Sequence, residues 1–337
     1  MNVVQIKICE NKGFLKIKKS LLYKKYKKGI VFFKTVWYNR IKREGKTMNI
    51  QNPVIFTENT GRTADPHITR VGDTYYHCYS TSEGVFLART ENLNQLSSAE
   101  AMCVYPAGEL THLYAPEMHK IGDSFYIYVS PDYGEDFHAM TVLKRESDDP
   151  FGEFENMGKV KGLEDQWTID GTVLEHEGEY YFIYTECSQM YIAKMSAPDA
   201  IIGKGTKLCR PEYEFETKTE VLVNEGPAVL KSGERLFVIY SANDSKCDEY
   251  CLGVLEFLGG DILDSSNWQK TPFAVFSQTE DIFGPGHCSF TTTPDGRNLI
   301  VYHANLESGS GWHGRSVWIQ EFTFDETGFP VFGKPHR

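Results

Sequence analysis

Five segments of this chain repeat one pattern, a glycine turn followed by an aromatic-rich run that ends on tyrosine: Gly72–Tyr79, Gly122–Tyr128, Gly178–Tyr184, Gly233–Tyr240 and Gly296–Tyr302. The leading glycines are 50, 56, 55 and 63 residues apart. A unit of that size cannot bury its own apolar face, so the copies must pack against one another, as in a solenoid, propeller or array. Ahead of each glycine lies a strand-like stretch (67–71, 118–121, 172–176, 228–231, 288–292), and the two halves together read as a hairpin. Further strand candidates follow at 85–89, 190–195, 252–257 and 317–324. Three to four short strands per unit, without a helical period, predict an all-β, five-bladed β-propeller. A sandwich would not explain a polar residue recurring ahead of each glycine, and a β-helix would repeat at a shorter period.

Those recurring polar residues are Asp65, Glu117, Asp170, Glu225 and His287. The innermost strand of a propeller blade lines the central axis, so residues at its head converge on one cavity. Two opposed carboxyl groups around a pocket are the minimum equipment for cleaving a glycosidic bond: one protonates the leaving oxygen while the other activates water or attacks carbon. The aromatics Tyr114, Trp167, Phe283 and Trp312 lie in the same stretches and offer stacking surfaces for sugar rings.

Charge divides the chain into two unlike parts. Formal net charge is −11, yet residues 1–47 hold 14 Lys/Arg against two acids, so residues 48–337 carry −23. An acidic body repels a phosphate backbone and accepts a neutral sugar. The basic leader has lysines throughout, and its longest good apolar run is Ile30-Val31-Phe32-Phe33. That is too short for a secretory signal and far too short for a membrane span. A basic helix lying on a membrane surface is the other reading of the leader. The eight cysteines are scattered with no CxxC pair. Ordinary reduced thiols and a cytoplasmic location are therefore expected, although Cys247 and Cys251 are close enough to bridge.

The segments Ala64-Asp-Pro-His-Ile68, Tyr114-Ala-Pro-Glu117, Trp167-Thr-Ile-Asp-Gly171, Asn224-Glu-Gly-Pro227 and Gly284-Pro-Gly-His287 resemble the signature set of glycoside hydrolase family 43. That family of five-bladed propellers includes α-L-arabinofuranosidases and β-xylosidases. The resemblance covers roughly residues 52–335, and the stretch from Asn224 to Val254 looks most like the arabinofuranosidase members. It implies an inverting reaction with Asp65 as general base, Glu225 as general acid and Asp170 as the carboxylate that tunes and orients the acid. A nearby negative charge raises an acid's pKa, in keeping with that last role.

The same resemblance implies that His287 helps hold a hydrated calcium ion in the central channel, through water, since a hard cation prefers oxygen. No cofactor is required for the reaction itself. His67, Tyr114, Trp167, Phe283 and Arg315 are expected to contact the sugar, and Glu117 to order the inner wall. Family members usually carry Trp where Tyr114 stands.

The expected activity is release of terminal α-L-arabinofuranosyl residues from arabinose-containing oligosaccharides. A β-1,4-xylosidase with the same mechanism is one alternative, and a noncatalytic glycan-binding propeller is another. Neither nucleic acid nor membrane is an expected partner. The expected organisation is a leader at 1–47 and a catalytic propeller at 48–337. Codons for Arg43-Glu44-Gly45 can spell a purine-rich ribosome-binding tract at a suitable distance before Met48. Translation is therefore expected to begin at Met48, and an intact mass of the native protein matching all 337 residues would overturn this.

Overall fold

The computed structural model describes residues 49–56 and 62–337; the leader and the proposed start at Met48 lie outside the described residues. Blade 1 comprises β1 (His67–Val71), β2 (Thr74–Thr81), β3 (Gly84–Thr90) and β4 (Glu100–Pro106). Blade 2 comprises β5 (Thr111–Ile121), β6 (Ser124–Asp132), β7 (Thr141–Glu146) and β8 (Glu155–Lys159). Blade 3 has β9 (Thr168–His176), β10 (Glu179–Glu186) and β11 (Gln189–Ala197), whose outer edge is shared by β12 (Ala200–Ile201) and β13 (Thr206–Cys209). Blade 4 is β14 (Asn224–Ser232), β15 (Arg235–Ala242), β16 (Cys251–Phe257) and β17 (Trp268–Lys270). Blade 5 is β18 (Phe283–Thr292), β19 (Asn298–Asn305), β20 (Ser316–Phe324) and β21 (Pro330–Val331). Every pairing within a blade is antiparallel between sequence neighbours, apart from β11 with β13.

The repeated glycines sit at the hairpin between the first two strands of each blade, with φ between 59° and 86°. That left-handed backbone is open to glycine without a Cβ penalty. The aromatic run after it is the blade's second strand, and its side chains alternate between two neighbours. On β15, Leu236, Val238 and Tyr240 pack toward blade 3, whereas Phe237 and Ile239 pack toward blade 5. Both faces are buried, which explains why these strands read as continuous apolar runs.

Five apolar clusters result, one at each boundary between blades. The fifth closes the ring: Ile68 and Tyr75 of blade 1 meet Leu299 and Val301 of blade 5, with Val54 and Ile55 beside them. Those N-terminal residues clasp β20. Val54 N–H donates to Val317 O at 2.8 Å, and the Asn52 side chain exchanges two hydrogen bonds with the Ile319 backbone. Among the described residues, no helix is long and apolar enough to cross a membrane, and seven cysteines, Cys247 and Cys251 among them, are free.

The inner strands β1, β5, β9, β14 and β18 surround the axis in that order. Near the head of each, a residue at a matching position adopts a left-handed backbone: Asp65 (φ 45°), Ala115 (41°), Asp170 (54°), Gly226 (56°) and His287 (44°). In blades 2 to 5 the strand register slips at the same place, as a bulge does when it re-aims a side chain. These positions are the true structural equivalents, which corrects the alignment drawn from sequence. Asp65, Asp170 and His287 share one tier. Glu117 lies two residues further along its strand, level with His67, Thr172, Ala228 and Ser289, while Glu225 lies one residue earlier than the tier. Accepting any polar residue five to nine positions ahead of the glycine blurs these offsets: Glu117 and His67 each stand five before their glycine, whereas Asp65 stands seven before.

Candidate active site

Asp65, Asp170, Glu225 and His287 meet at one mouth of the axial channel, all buried or nearly so. Left to burial alone, every carboxyl here would hold its proton. Asp65 escapes this. Burial pushes its pKa up, but His287, then Arg315 and His303, outweigh burial and hold it far below the ordinary carboxylate range. Its Oδ1 lies 3.3 Å from His287 Nδ1 and accepts from Arg315 Nη1 at 3.3 Å. His303 Nδ1 lies 3.4 Å from the same oxygen but also receives the Asp65 backbone N–H at 3.3 Å. An amide can only donate, so that nitrogen carries a lone pair and the ring is neutral, in line with a pKa lowered by burial to about 4. The ionised state of Asp65 therefore rests on His287 and Arg315.

Glu225 goes the other way. Burial and the adjacent Asp170 push its pKa up to about 8, against the pull of His287 and of Tyr250, whose hydroxyl donates to Oε1 at 2.8 Å. Asp170 is itself raised, by burial and by Asp65, although His287 and the Gly226 N–H (3.0 Å to Oδ2) favour its charge. The two carboxyls titrate as a pair that retains a proton near neutral pH. His287 supplies the local positive charge: burial alone would deprotonate it, but Asp65, Asp170, Glu225 and Glu117 together raise its pKa. Gly226 packs against the His287 ring, where a Cβ would approach to 3.1 Å. One ionised carboxylate and one protonated carboxyl thus share a cavity, and their environments are what separate them.

Two pockets open from this mouth. One, about 880 Å³, is lined by Asp65, Tyr79, Phe86, Tyr114 and Arg315. The other, about 250 Å³, is lined by Glu225, Trp167, Lys246 and Trp312. Tyr114 is exposed and stacks face to face on buried His138, 4.3 Å between centroids, and Trp167 meets the same imidazole edge-on. Trp312 lies under the Lys246 ammonium (4.2 Å) and donates to Ser245 Oγ.

Of the other sequence-derived candidates, Arg315 lines the larger pocket and is engaged there with Asp65. Phe283 opens β18, paired with Asn305, and lines neither pocket. His67 faces the channel below the mouth, a cavity of about 410 Å³ that it lines with Glu117 and His119. There His67 Nδ1 accepts Met118 N–H, which leaves its proton on Nε2, 3.8 Å from Glu117 Oε2; His119 Nε2 lies 2.9 Å from the same oxygen. Burial would raise the Glu117 pKa, but the two imidazoles and Thr172 lower it. These residues account for one another as a hydrogen-bonded polar network within the channel wall, with His67 neutral. A hydrated calcium ion suits the tier above in one respect: Nδ1 of His287 is turned to Asp65, so Nε2 is the nitrogen left to meet a bound water.

His303, Ser241 and Tyr250 were not singled out from sequence. A signal for the first two existed, because each directly follows the closing tyrosine of its repeat, as do Ser80 and Thr185, which line the two pockets.

Comparison with known proteins bears directly on this site. The model of the family described as glycosyl hydrolases family 43 matches residues 50–330. The chain belongs to that family. This glycoside hydrolase is 34% identical over 262 residues to an extracellular exo-α-(1→5)-L-arabinofuranosidase of Streptomyces chartreusis, covering 72% of this chain and 79% of that protein. It is 30% identical to the enzyme of the same description from Streptomyces avermitilis, with 81% of this chain matched but only 62% of that longer protein. The crystal structure of an α-L-arabinofuranosidase from Lactobacillus brevis superposes with a TM-score of 0.78 at 30% identity, covering 85% of this chain and 97% of that one.

Behind Glu225, the family-43 enzyme carries a buried polar network that fixes the head of β14. Lys270 Nζ lies 2.5 Å from Glu216 Oε1 and also donates to Asn224 Oδ1 (3.0 Å) and Arg210 O (2.8 Å). Asn224 Nδ2 and the Tyr240 hydroxyl donate to the same Glu216 oxygen. Asn224 is the residue immediately before Glu225. Lys270→Met would strand a buried carboxylate, so urea unfolding is expected to show a loss of about 3–5 kcal/mol, partly recovered when Glu216→Gln is added.

Proposed function

We propose that this glycoside hydrolase removes terminal α-L-arabinofuranosyl residues from arabinose-containing oligosaccharides by a single inverting displacement. The observation that carries the reading is the contrast between two carboxyls at one mouth: Asp65 lies against Arg315 and His287, which favour its ionised form, and Glu225 is buried beside Asp170, which favours its protonated form. Asp65, as base, takes a proton from water as its oxygen attacks the anomeric carbon. Glu225 delivers its proton to the glycosidic oxygen, which leaves as an alcohol. Asp170 keeps Glu225 protonated and ties itself to the Gly226 amide, holding the acid's strand in place. The pocket on the Glu225 side, with Trp167 and Trp312, receives the leaving portion, and Tyr114 borders the Asp65 side.

The names of the two Streptomyces relatives and of the Lactobacillus brevis enzyme support an arabinofuranosyl substrate over a xyloside. Hydrolysis consumes only water and needs no cofactor. A calcium ion held through water near His287 would contribute positive charge to the channel. Cytoplasmic placement is also our proposal, beside Streptomyces relatives named as extracellular, and activity confined to the culture medium would overturn it.

Turnover of p-nitrophenyl α-L-arabinofuranoside is expected to exceed that of p-nitrophenyl β-D-xylopyranoside. Asp65→Ala should lower kcat on the arabinofuranoside by about 10²–10⁴-fold with the unfolding midpoint preserved. Preference for the xyloside would establish the β-xylosidase alternative; turnover of neither by folded protein would establish a glycan-binding propeller.

A further inference from the structure

The hydrolytic reaction leaves one question open at the acid: which oxygen of Glu225 carries the proton. Tyr250 lies in the connection from β15 to β16 and is completely buried. Its ring stacks on His303 at 5.5 Å and 8° between planes, and β18 runs so close that a Cβ on Gly286 would reach its ring at 2.2 Å. The phenol therefore has one place to be. Its pKa is raised well above the usual value, first by burial and then by Glu225, so the hydroxyl keeps its hydrogen.

A chain of donors fixes where that hydrogen points. His287 N–H donates to Ser241 Oγ at 2.8 Å, leaving the Ser241 hydrogen free. Ser241 acts on the Tyr250 phenol as well, lowering its pKa as a donor toward its oxygen does. Tyr250 can then donate only onward, and its partner is Glu225 Oε1 at 2.8 Å.

We propose that Tyr250 is the positioning residue of the general acid, making Oε1 an acceptor and so confining the reactive proton to Oε2. An oxygen that accepts from a buried phenol cannot also present a proton along that line, so the hydroxyl of the carboxyl group is Oε2. When the Oε2 proton passes to the glycosidic oxygen, the C–O bond to the departing sugar breaks and its electrons stay with that oxygen. Glu225 is left as a carboxylate, and the proton released by the attacking water rests on Asp65; exchange with solvent resets both. As charge builds on Glu225, the Tyr250 bond becomes charge-assisted and strengthens. Tyr250 thus opposes the rise imposed by burial and Asp170, keeping the acid strong enough to release its proton.

This inference rests on Glu225 being the general acid, so the test pairs two variants. In Tyr250→Phe the ring contacts remain and only the hydroxyl goes. Loss of a donor to the carboxylate raises the Glu225 pKa, so the alkaline limb of kcat/KM should move up by about one pH unit. Turnover of an arabino-oligosaccharide should fall by roughly tenfold or more, while that of the p-nitrophenyl glycoside, whose leaving group departs without a proton, changes little. Fluorotyrosine at position 250, a stronger donor, should move the limb the other way, and this holds even if Tyr250→Phe folds poorly. Glu225→Ala is the control: it should abolish oligosaccharide turnover far more severely than p-nitrophenyl glycoside turnover. If Glu225→Ala shows that selectivity while both Tyr250 variants keep the wild-type limb and leaving-group dependence, the positioning role is wrong. If Glu225→Ala lacks the selectivity, the acid assignment itself falls.

Discussion

Everything in this molecule depends on the burial of both faces of each blade. A second strand such as β15 sends alternate side chains to opposite neighbours, so no blade is stable without one on each side. A fully buried Leu or Phe contributes about 1.5–3 kcal/mol, and each of the five seams contains several. Only closure satisfies the first and last blades, which is why Asn52, Val54 and Ile55 reach across to β20. The apolar side chains are committed to the seams. The axis is left to backbone and polar groups, and a solvent-reached channel follows from the packing.

On that axis the five-fold pattern is kept by the backbone and broken by the side chains. A left-handed residue near the head of every inner strand turns one position toward the mouth. Non-glycine residues pay roughly 1–2 kcal/mol for that conformation, and Asp65, Asp170 and His287 are held in it by the paired strands around them. The three supply two carboxylates and an imidazole, while Ala115 and Gly226 leave room. Charge then sorts the groups. Arg315 and His287 lie against Asp65 and ionise it, whereas Glu225, with Asp170 rather than a guanidinium beside it, keeps its proton. One mouth holds two carboxyls whose pKa values are pushed in opposite directions because their nearest neighbours differ.

The ring, its five blades and the residues Asp65, Asp170, Glu225 and His287 were legible in the sequence because each is tied to a repeat. Glycine turns and two-sided apolar runs report the hairpins directly. What failed was the level of each residue along the axis. Glu117 groups with Asp65 as the polar residue ahead of its repeat, yet it stands five residues before its glycine, as His67 does, whereas Asp65 stands seven before, and it lies one tier down with His67. His67, Phe283 and Arg315 were assigned to sugar contact from their motifs; in the structure the first two stand away from the two pockets, while Arg315 lines the larger one and bonds Asp65 there. Tyr250 was invisible because its role comes from a loop folding back between blades 4 and 5, and neither periodicity nor spacing marks such a return. His303 and Ser241 were recoverable, since each follows the tyrosine that closes its repeat.

In the proposed mechanism Asp65 activates water on one side of the sugar while Glu225 protonates the leaving group on the other. The anomeric configuration of the first-formed product tests this most directly. Proton NMR in the first minutes of hydrolysis of an α-L-arabinofuranoside, before mutarotation, should show β-arabinose accumulating ahead of the α form. If the α-anomer appears first, the enzyme retains configuration, Asp65 attacks carbon rather than water, and its role as general base is refuted.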